Sequence, residues 1–465
     1  MSIVLGEHQR IGIKKVVNIP HTGIFFSTGS GKSSILLYSA YALLKKEMSD
    51  KCVIVGTPSA IISLYDQLNI LNLPVSNVRV ESESEFVSAV LNKKISLVFM
   101  KYSSILSWDP KLYVINSNLQ NLNTVRIAGM FDEVHKVKGH TSELYKRWFL
   151  VTSMFSRMSG YTATPITSNL LDLYNILHFL RINLFMSREQ FIDRFVERRK
   201  LFSKAKGRYF YEVIGFKNVD QLLKLIEPNT LFFSSSKHLD IKYAGVPIST
   251  SSSDYELASQ GLYNVDEDDV KEYGVRMHDL QQIVNKDYNK LALTLRFVLK
   301  NKEKGVVIFT DYYSTVDALC KLLESVNIFT YIISGSVKEK DRNSIKNDFL
   351  GSPSNKVLII TRAGGESLNL QSTDSIVVYD LPRGIGALVQ VIGRVNRMYS
   401  KFDTVNVFFP YVTGTIDEYR IMYIQKYKQL LDKMFDGEIV PTSMVPSFNR
   451  YIFKKLRDKF LWGRS

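Results

Sequence analysis

A lysine set directly behind closely spaced glycines can hold phosphate. This chain carries one at Thr28-Gly29-Ser30-Gly31-Lys32-Ser33-Ser34, between the apolar run TGIFFS (22–27) and a helix-forming stretch. Glycines let main-chain N–H groups curl around phosphate oxygens, and a helix N-terminus turns its positive end toward them. In that setting Lys32 is placed to reach β- and γ-phosphates, and the Ser33 hydroxyl to bind Mg²⁺. The first glycine of the usual G-x-x-x-x-G-K-[ST] pattern is absent, with Phe26 in its place. A chance Gly-rich turn is the plain alternative, and the strand before and helix after it argue against that.

Further along, the apolar run VRIAGMF leads into Asp132-Glu133-Val134-His135. A carboxylate at a strand's end, here Asp132, can hold Mg²⁺ beside a phosphate loop, as the corresponding carboxylate of a phosphate-loop NTPase does. Its neighbour Glu133 can then position and deprotonate an attacking water. His135 either couples the nucleotide state to the next segment or simply caps the loop. A third cluster, QVIGRVNR, places Gln390, Arg394 and Arg397 on one helical face by i, i+4 and i+3 spacing. Arginines of this kind can stabilise charge on a transferring γ-phosphoryl group, and an exposed basic helix face is the alternative.

These residues need a rigid frame, and the pattern supplies one. Short apolar runs alternate with amphipathic stretches, which predicts parallel sheets covered by helices. The first set of strands is expected near 22–27, 51–57, 94–100, 125–133 and 155–163; the second near 305–310, 329–334, 355–361, 374–380 and 404–409. The expected organisation is a first α/β domain over 1–165 and a helical insertion over 166–240. A polar linker over 241–289, a second α/β domain over 290–430 and a basic helical tail over 431–465 complete it.

Composition narrows the class. Across 465 residues, 60 Lys and Arg face 45 Asp and Glu, a net charge of +15 that favours a polyanionic partner. Two cysteines, Cys52 and Cys320, cannot build a disulfide framework or a four-thiolate zinc site. No uncharged run approaches the ~20 residues needed to span a bilayer. Secreted, disulfide-rich, disordered and membrane-spanning classes are therefore set aside, and a cytoplasmic protein with no membrane partner is expected.

Taken in order, TGSGKS, DEVH, TATP, AGGESLNLQ and QVIGRVNR resemble a superfamily 2 helicase or translocase, and SGYTATPITSNLLDLYNILHFLRINLF (159–185) resembles its Swi/Snf branch. The opening LGEHQRIG, the segment VIFTDYYSTVDAL (307–319) and GTIDE (414–418) also match, so the resemblance spans nearly the whole chain. It implies two RecA-like parallel-sheet domains in tandem, with a helical insertion and a C-terminal helical tail, using ATP and Mg²⁺. Residue by residue it implies that Gln9 reads the adenine edge, with His8 and Arg10 nearby. Thr162 and Thr164 would link ATP state to the nucleic-acid groove. Gly364, Gly365 and Asn369 would lie on a loop touching nucleotide and backbone, and Arg394 and Arg397 would be the arginine-finger pair with Gln390 beside them. Departures exist: Ser367 stands where AGGxGxNL has its later glycine, and LPRGIG replaces a Trp-Asn-Pro stretch.

The stretch 181–217 carries ten Lys or Arg against four Asp or Glu, with Phe and Tyr interleaved. Basic side chains neutralise phosphates and aromatics can stack on bases, which marks Arg198, Arg199 and Lys200 as candidate DNA contacts. An amphipathic helical hairpin with a solvated basic face is the structural alternative. The expected activity is ATP-driven movement on duplex or branched DNA, with little sequence specificity because phosphate contacts dominate. Remodelling of forks or junctions in replication, recombination or repair is the expected role, by a monomer whose protein partners the sequence does not indicate. An RNA helicase and a nucleotide-gated clamp that holds nucleic acid without cycling are the rival readings.

Overall fold

The computed structural model describes residues 5–108, 125–166, 170–203, 208–233, 238–246, 253–260, 270–361, 370, 373–382, 388, 391–393, 402, 404–422 and 425. Two compact units form. The first takes the chain to Phe195 together with Asn218–Ser235, and the second takes Val196–Lys217 and the chain from Ser236 to Met434.

The first unit is built on seven parallel strands: β1 (His21–Phe26), β2 (Lys51–Gly56), β3 (Asn77–Val80), β4 (Leu97–Lys101), β5 (Ile127–Asp132), β6 (Phe155–Thr162) and the later β9 (Thr230–Phe233). Their order across the sheet is β3-β4-β2-β5-β6-β1-β9. Central parallel strands are covered on both faces, so their sequences are apolar throughout; all six residues of β2 are buried. Local signals start the helices where they should. Thr57 accepts a hydrogen bond from the Ala60 N–H ahead of Pro58, and Ser82 with Glu85 forms a capping box. The core under β5 is aromatic, with Phe131 meeting Trp148 and Phe179 edge-on at ring-centre distances of 5.5 and 4.9 Å.

Between β6 and β9 the expected helical insertion is helical on both sides of a hairpin. Helices Leu170–Phe179, Arg188–Phe195 and Val219–Ile226 are present, but the basic stretch forms β7 (Val196–Ser203) and β8 (Arg208–Phe216), paired antiparallel. The reason is local. Residues 209–216 are rich in aromatic and β-branched types, which favour a pleated strand over a helix.

The second unit holds six parallel strands: β10 (His238–Val246), β11 (Val306–Phe309), β12 (Phe329–Ile333), β13 (Lys356–Ile360), β14 (Ser375–Val378) and β15 (Thr404–Val412). Their order is β10-β15-β14-β11-β13-β12. The span 241–289, expected as a polar linker, supplies the end of β10 and helices Ser253–Gln260 and Val270–Asn285. The second of these buries Leu280, Gln281, Val284 and Asn285. The expected tail, 431–465, lies outside the described residues.

A polar cluster plugs the C-terminal ends of β11, β14 and β15. Lys290, fully buried at the start of helix Tyr288–Asn301, donates to Asp417 at 2.6 Å and to Asn285 at 3.2 Å, and its ammonium lies 4.5 Å from the Tyr379 ring centre. Gln281 donates to Asp417 and Asn285, and Asn285 passes the network to Thr315 and Asp380. Asp380 also accepts from the Thr310 hydroxyl and the Asp311 N–H. Burial, reinforced by the Asp311 charge and opposed by Lys290, pushes the Asp380 carboxyl up to about 7.

Candidate nucleotide site

Strands β5, β6 and β1 are neighbours, so the segments leaving their C-terminal ends emerge together, where parallel α/β sheets bind ligands. From β1 comes the glycine loop. Gly29 and Gly31 take φ values of 77° and 82°, a left-handed conformation that a side chain would strain, and Gly31 is the N-cap of helix α2 (Lys32–Lys45). Phe26 needs no glycine's freedom because it is still β1, fully buried in the core. Lys32 folds its ammonium back on the loop, donating to the Phe26 and Ser27 carbonyls at 2.9 and 3.0 Å.

Ser30 is buried and ties the loop to what lies behind it. Its hydroxyl donates to the Ser27 carbonyl at 2.7 Å. Its own carbonyl faces His8 Nε2 at 3.0 Å and the Gln9 amide at 3.5 Å, both from the first turn of helix α1 (Glu7–Asn18). Gln9 Oε1 in turn accepts from the Gly6 N–H at 2.8 Å. The His8 ring stacks flat on Phe233 at the end of β9, with centres 4.2 Å apart and planes 1° apart. Thr28 and Ser33 are half-buried and Arg10 is exposed on α1. Ser34 points inward and accepts from the Gln67 amide at 2.8 Å, so its hydroxyl is engaged with helix Pro58–Leu71.

From β5 come the acids. Asp132 is the last strand residue and is buried, and Glu133 turns the chain with φ 49° and ψ 50°. That left-handed conformation is costly outside glycine and is held here by what surrounds the side chain. The Thr162 hydroxyl, at the end of β6, lies 3.2 Å from Glu133 Oε2, 2.9 Å from His135 Nδ1 and 3.1 Å from the Thr164 N–H. A hydroxyl has one proton to give. Given to the carboxylate, it leaves Thr162 accepting from Thr164 and from His135, which assigns the proton of a neutral His135 to Nδ1. Behind them the Tyr102 hydroxyl donates to the Asp132 carbonyl at 2.9 Å. Burial, with the charges of Asp132 and Glu133, pushes the Tyr102 phenol well above its ordinary value, so it stays a neutral donor. The Thr164 hydroxyl is buried with no hydrogen-bond partner among the described residues.

The donor set fits a magnesium–polyphosphate group: a helix N-terminus, an ammonium bonded to main-chain carbonyls, and the carboxylates of Asp132 at the end of β5 and Glu133 next to it. Among the described residues no three His, Cys, Asp or Glu side chains cluster to cage a metal by themselves. A divalent ion there must share phosphate oxygens, as Mg²⁺ does readily.

Other expected residues fall elsewhere. Gly364, Gly365, Asn369, Gln390, Arg394 and Arg397 lie outside the described residues. Arg198 and Lys200 stand on β7, and Arg199 is placed there by its backbone alone. Sequence patterns do not point to Tyr102 or Phe233, which belong to no motif, and no signal short of the fold itself would find them.

No helix among the described residues is long and apolar enough to cross a membrane. Two families match the chain: the SNF2-related domain over residues 79–236 and the Helicase conserved C-terminal domain over 289–399, together more than half its length. A CHD3-type chromatin-remodeling factor of Arabidopsis thaliana is 26% identical over 66% of this chain and 27% of its own. A provisionally named ATP-dependent RNA helicase of Acanthamoeba polyphaga mimivirus is 22% identical over 90% of this chain and 89% of its own. The SWI2/SNF2 ATPase core of Sulfolobus solfataricus, solved with dsDNA, covers 94% of both chains at 17% identity and a TM-score of 0.41. The chain spans only 20–27% of the length of the first curated relatives it matches.

Proposed function

We propose, from the premise that this chain belongs to the Swi/Snf-like branch of the superfamily 2 helicases, that it is a nucleic-acid-stimulated ATPase that moves along DNA. The observation that carries the reading is that the neighbouring strands β1, β6 and β5 bring to one end of the sheet the glycine turn with Lys32, Thr162 at the end of β6, and Asp132-Glu133 at the end of β5, with Thr162 bonded to Glu133 and His135. Lys32 exchanges its carbonyl partners for β- and γ-phosphate oxygens when nucleotide binds. Ser33 and Asp132 would hold Mg²⁺, which would supply positive charge against the phosphates. Glu133, oriented through Oε2 by Thr162, takes the proton of the attacking water. His135, donating to the same hydroxyl, passes any shift of Glu133 to the segment after β6. Arg394 and Arg397 supply charge to the transferring γ-phosphoryl group.

DNA is favoured over RNA by the chromatin-remodeling relatives, and a polyanionic track by the net charge of +15. Duplex or branched DNA, gripped through its backbone and remodelled at forks or junctions, is the proposed substrate. The mimiviral relative keeps an RNA helicase in view as the second reading, because it matches nearly end to end. Steady-state ATPase measured with no nucleic acid, single-stranded DNA, duplex DNA, branched DNA and RNA decides between them. Duplex or branched DNA should stimulate most; stimulation by RNA alone establishes the second reading, and none at all establishes a clamp.

A further inference from the structure

We infer that the hairpin β7–β8 is a stacking platform for an unpaired nucleic-acid strand, a second contact beyond the nucleotide-driven grip. The inference rests on the reading that the partner is nucleic acid, and it adds which form of it the hairpin takes. The hairpin is a two-stranded sheet, in which paired residues share a face. Register pairs Lys200 with Tyr211 and Phe202 with Tyr209, so Arg198, Lys200, Tyr209 and Tyr211 belong to one face. Both tyrosines are exposed, 62% and 58%, although large aromatic rings are usually the first side chains a fold covers. Each carries a cation over its ring: the Arg198 guanidinium lies 4.8 Å from the Tyr211 centre, and the Lys200 ammonium 4.3 Å from the Tyr209 centre.

Two exposed rings with two cations match the chemistry of a strand of nucleic acid, bases on the rings and phosphates on the cations. Spacing then selects the form. Residues i and i+2 of a strand stand about 6.6–6.8 Å apart. Bases stacked in a duplex rise only ~3.4 Å along each strand and keep their faces against each other. Adjacent rings at twice that rise can each take a base only from a strand that is unpaired and drawn out. When a base arrives, the cation over the ring moves aside to the neighbouring phosphate, so each tyrosine–cation pair exchanges one partner for two.

The test is fluorescence-anisotropy binding of labelled oligodeoxythymidine and of a duplex of equal length, to the full chain without ATP. For Tyr209→Ala with Tyr211→Ala, affinity for the single strand should fall roughly 5- to 100-fold, the usual worth of one or two base–aromatic stacks. Duplex affinity should change far less. The Phe pair at the same positions should restore single-strand binding, because the face and not the hydroxyl does the stacking. Arg198→Gln with Lys200→Gln should flatten the salt dependence of single-strand binding by up to about 0.7 for each phosphate no longer neutralised. A melting-temperature control separates impaired binding from impaired folding. Equal losses on single strand and duplex, unchanged single-strand affinity, or failure of the Phe pair to restore it would overturn the platform while leaving the motor reading in place. Wild-type protein that binds neither oligonucleotide would instead remove the nucleic-acid reading itself.

Discussion

Each unit gathers polar groups at the C-terminal ends of its parallel strands, and each places a lysine there, yet the two lysines do opposite work. Lys32 is half-buried behind a turn whose two glycines hold left-handed dihedrals, and it donates to two main-chain carbonyls. Lys290 is fully buried, paired to Asp417, bonded to Asn285 and capped by the Tyr379 ring. On the proposed reading the first lysine exchanges these carbonyls for phosphate oxygens when nucleotide binds. The second cannot let go, since a carboxylate would remain buried without its counter-charge. A parallel sheet therefore offers the same position for a ligand site or for a lock, and the choice is made by whether the chain fills it with its own charges.

The largest effect that would sharpen this contrast is catalytic. Glu133→Gln keeps shape and the Thr162 hydrogen bond but removes the base, so turnover should fall on the order of 10²–10⁴-fold with nucleotide binding and melting temperature retained. Normal nucleic-acid-stimulated hydrolysis by this variant would show that Glu133 is not the base. Next in size, Lys290→Met should cost about 3–5 kcal/mol of unfolding free energy by stranding Asp417, read from denaturant titration. Adding Asp417→Leu should return much of the loss. A loss under about 1 kcal/mol in the single variant would mean that the second cluster is as exchangeable as the first.

How far the sequence foretells this depends on how each residue is surrounded. Central strands such as KCVIVG are buried on both faces, so their apolar runs stand out. The strands without a clear signal are β3, β9 and β10, and all three lie at sheet edges. β3 has one fully buried residue in NVRV, and an edge strand half in water carries no continuous apolar signal. The glycine loop and Asp132-Glu133 stand out as candidates because phosphate chemistry restricts residue type and spacing together. The Lys290 cluster is not: Gln281, Asn285, Lys290, Asp380 and Asp417 are ordinary polar residues, scattered along the chain, that become a network only when three strands and two helices bring them together. The hairpin reads as helix because its charged residues hide the two-residue alternation.

Asp380 gives a smaller effect with a definite sign. Its carboxyl is raised from an ordinary value of 3.8 to about 7, by burial first and then by Asp311, against Lys290. Asp417, Tyr379, Asp287 and Tyr255 are further titratable groups facing the cluster. Between those two pH values the unfolded chain has given up the proton while the native cluster keeps it. The stability from this group is thus fully present below the unfolded value and is lost as pH rises toward about 7, with a slope of at most about 1.4 kcal/mol per pH unit. Asp380→Asn should flatten that slope in denaturant titrations run across the window. The same slope in the variant would assign the titration elsewhere.

The smallest effect probes the open site and the interaction that most resembles packing within it. His8 reaches the Ser30 carbonyl with Nε2 while its ring lies flat on Phe233, so the loop is tied through one hydrogen bond and one stack to the last strand before the chain passes to the second unit. Phe233→Leu keeps an apolar side chain and the hydrogen bond but removes the aromatic pair, which is worth ~0.5–1.5 kcal/mol. If the stack orients His8, nucleotide affinity measured with a fluorescent ATP analogue should weaken roughly 2- to 10-fold while the melting temperature barely moves. His8→Ala removes both the stack and the hydrogen bond and should weaken affinity further. Unchanged affinity in Phe233→Leu with a loss in His8→Ala would leave the hydrogen bond as the sole tie. A melting-temperature drop matching that of Lys290→Met would mean that this end of the first sheet is locked as firmly as the second, and the contrast between the two lysines would have to be drawn at Lys32 alone.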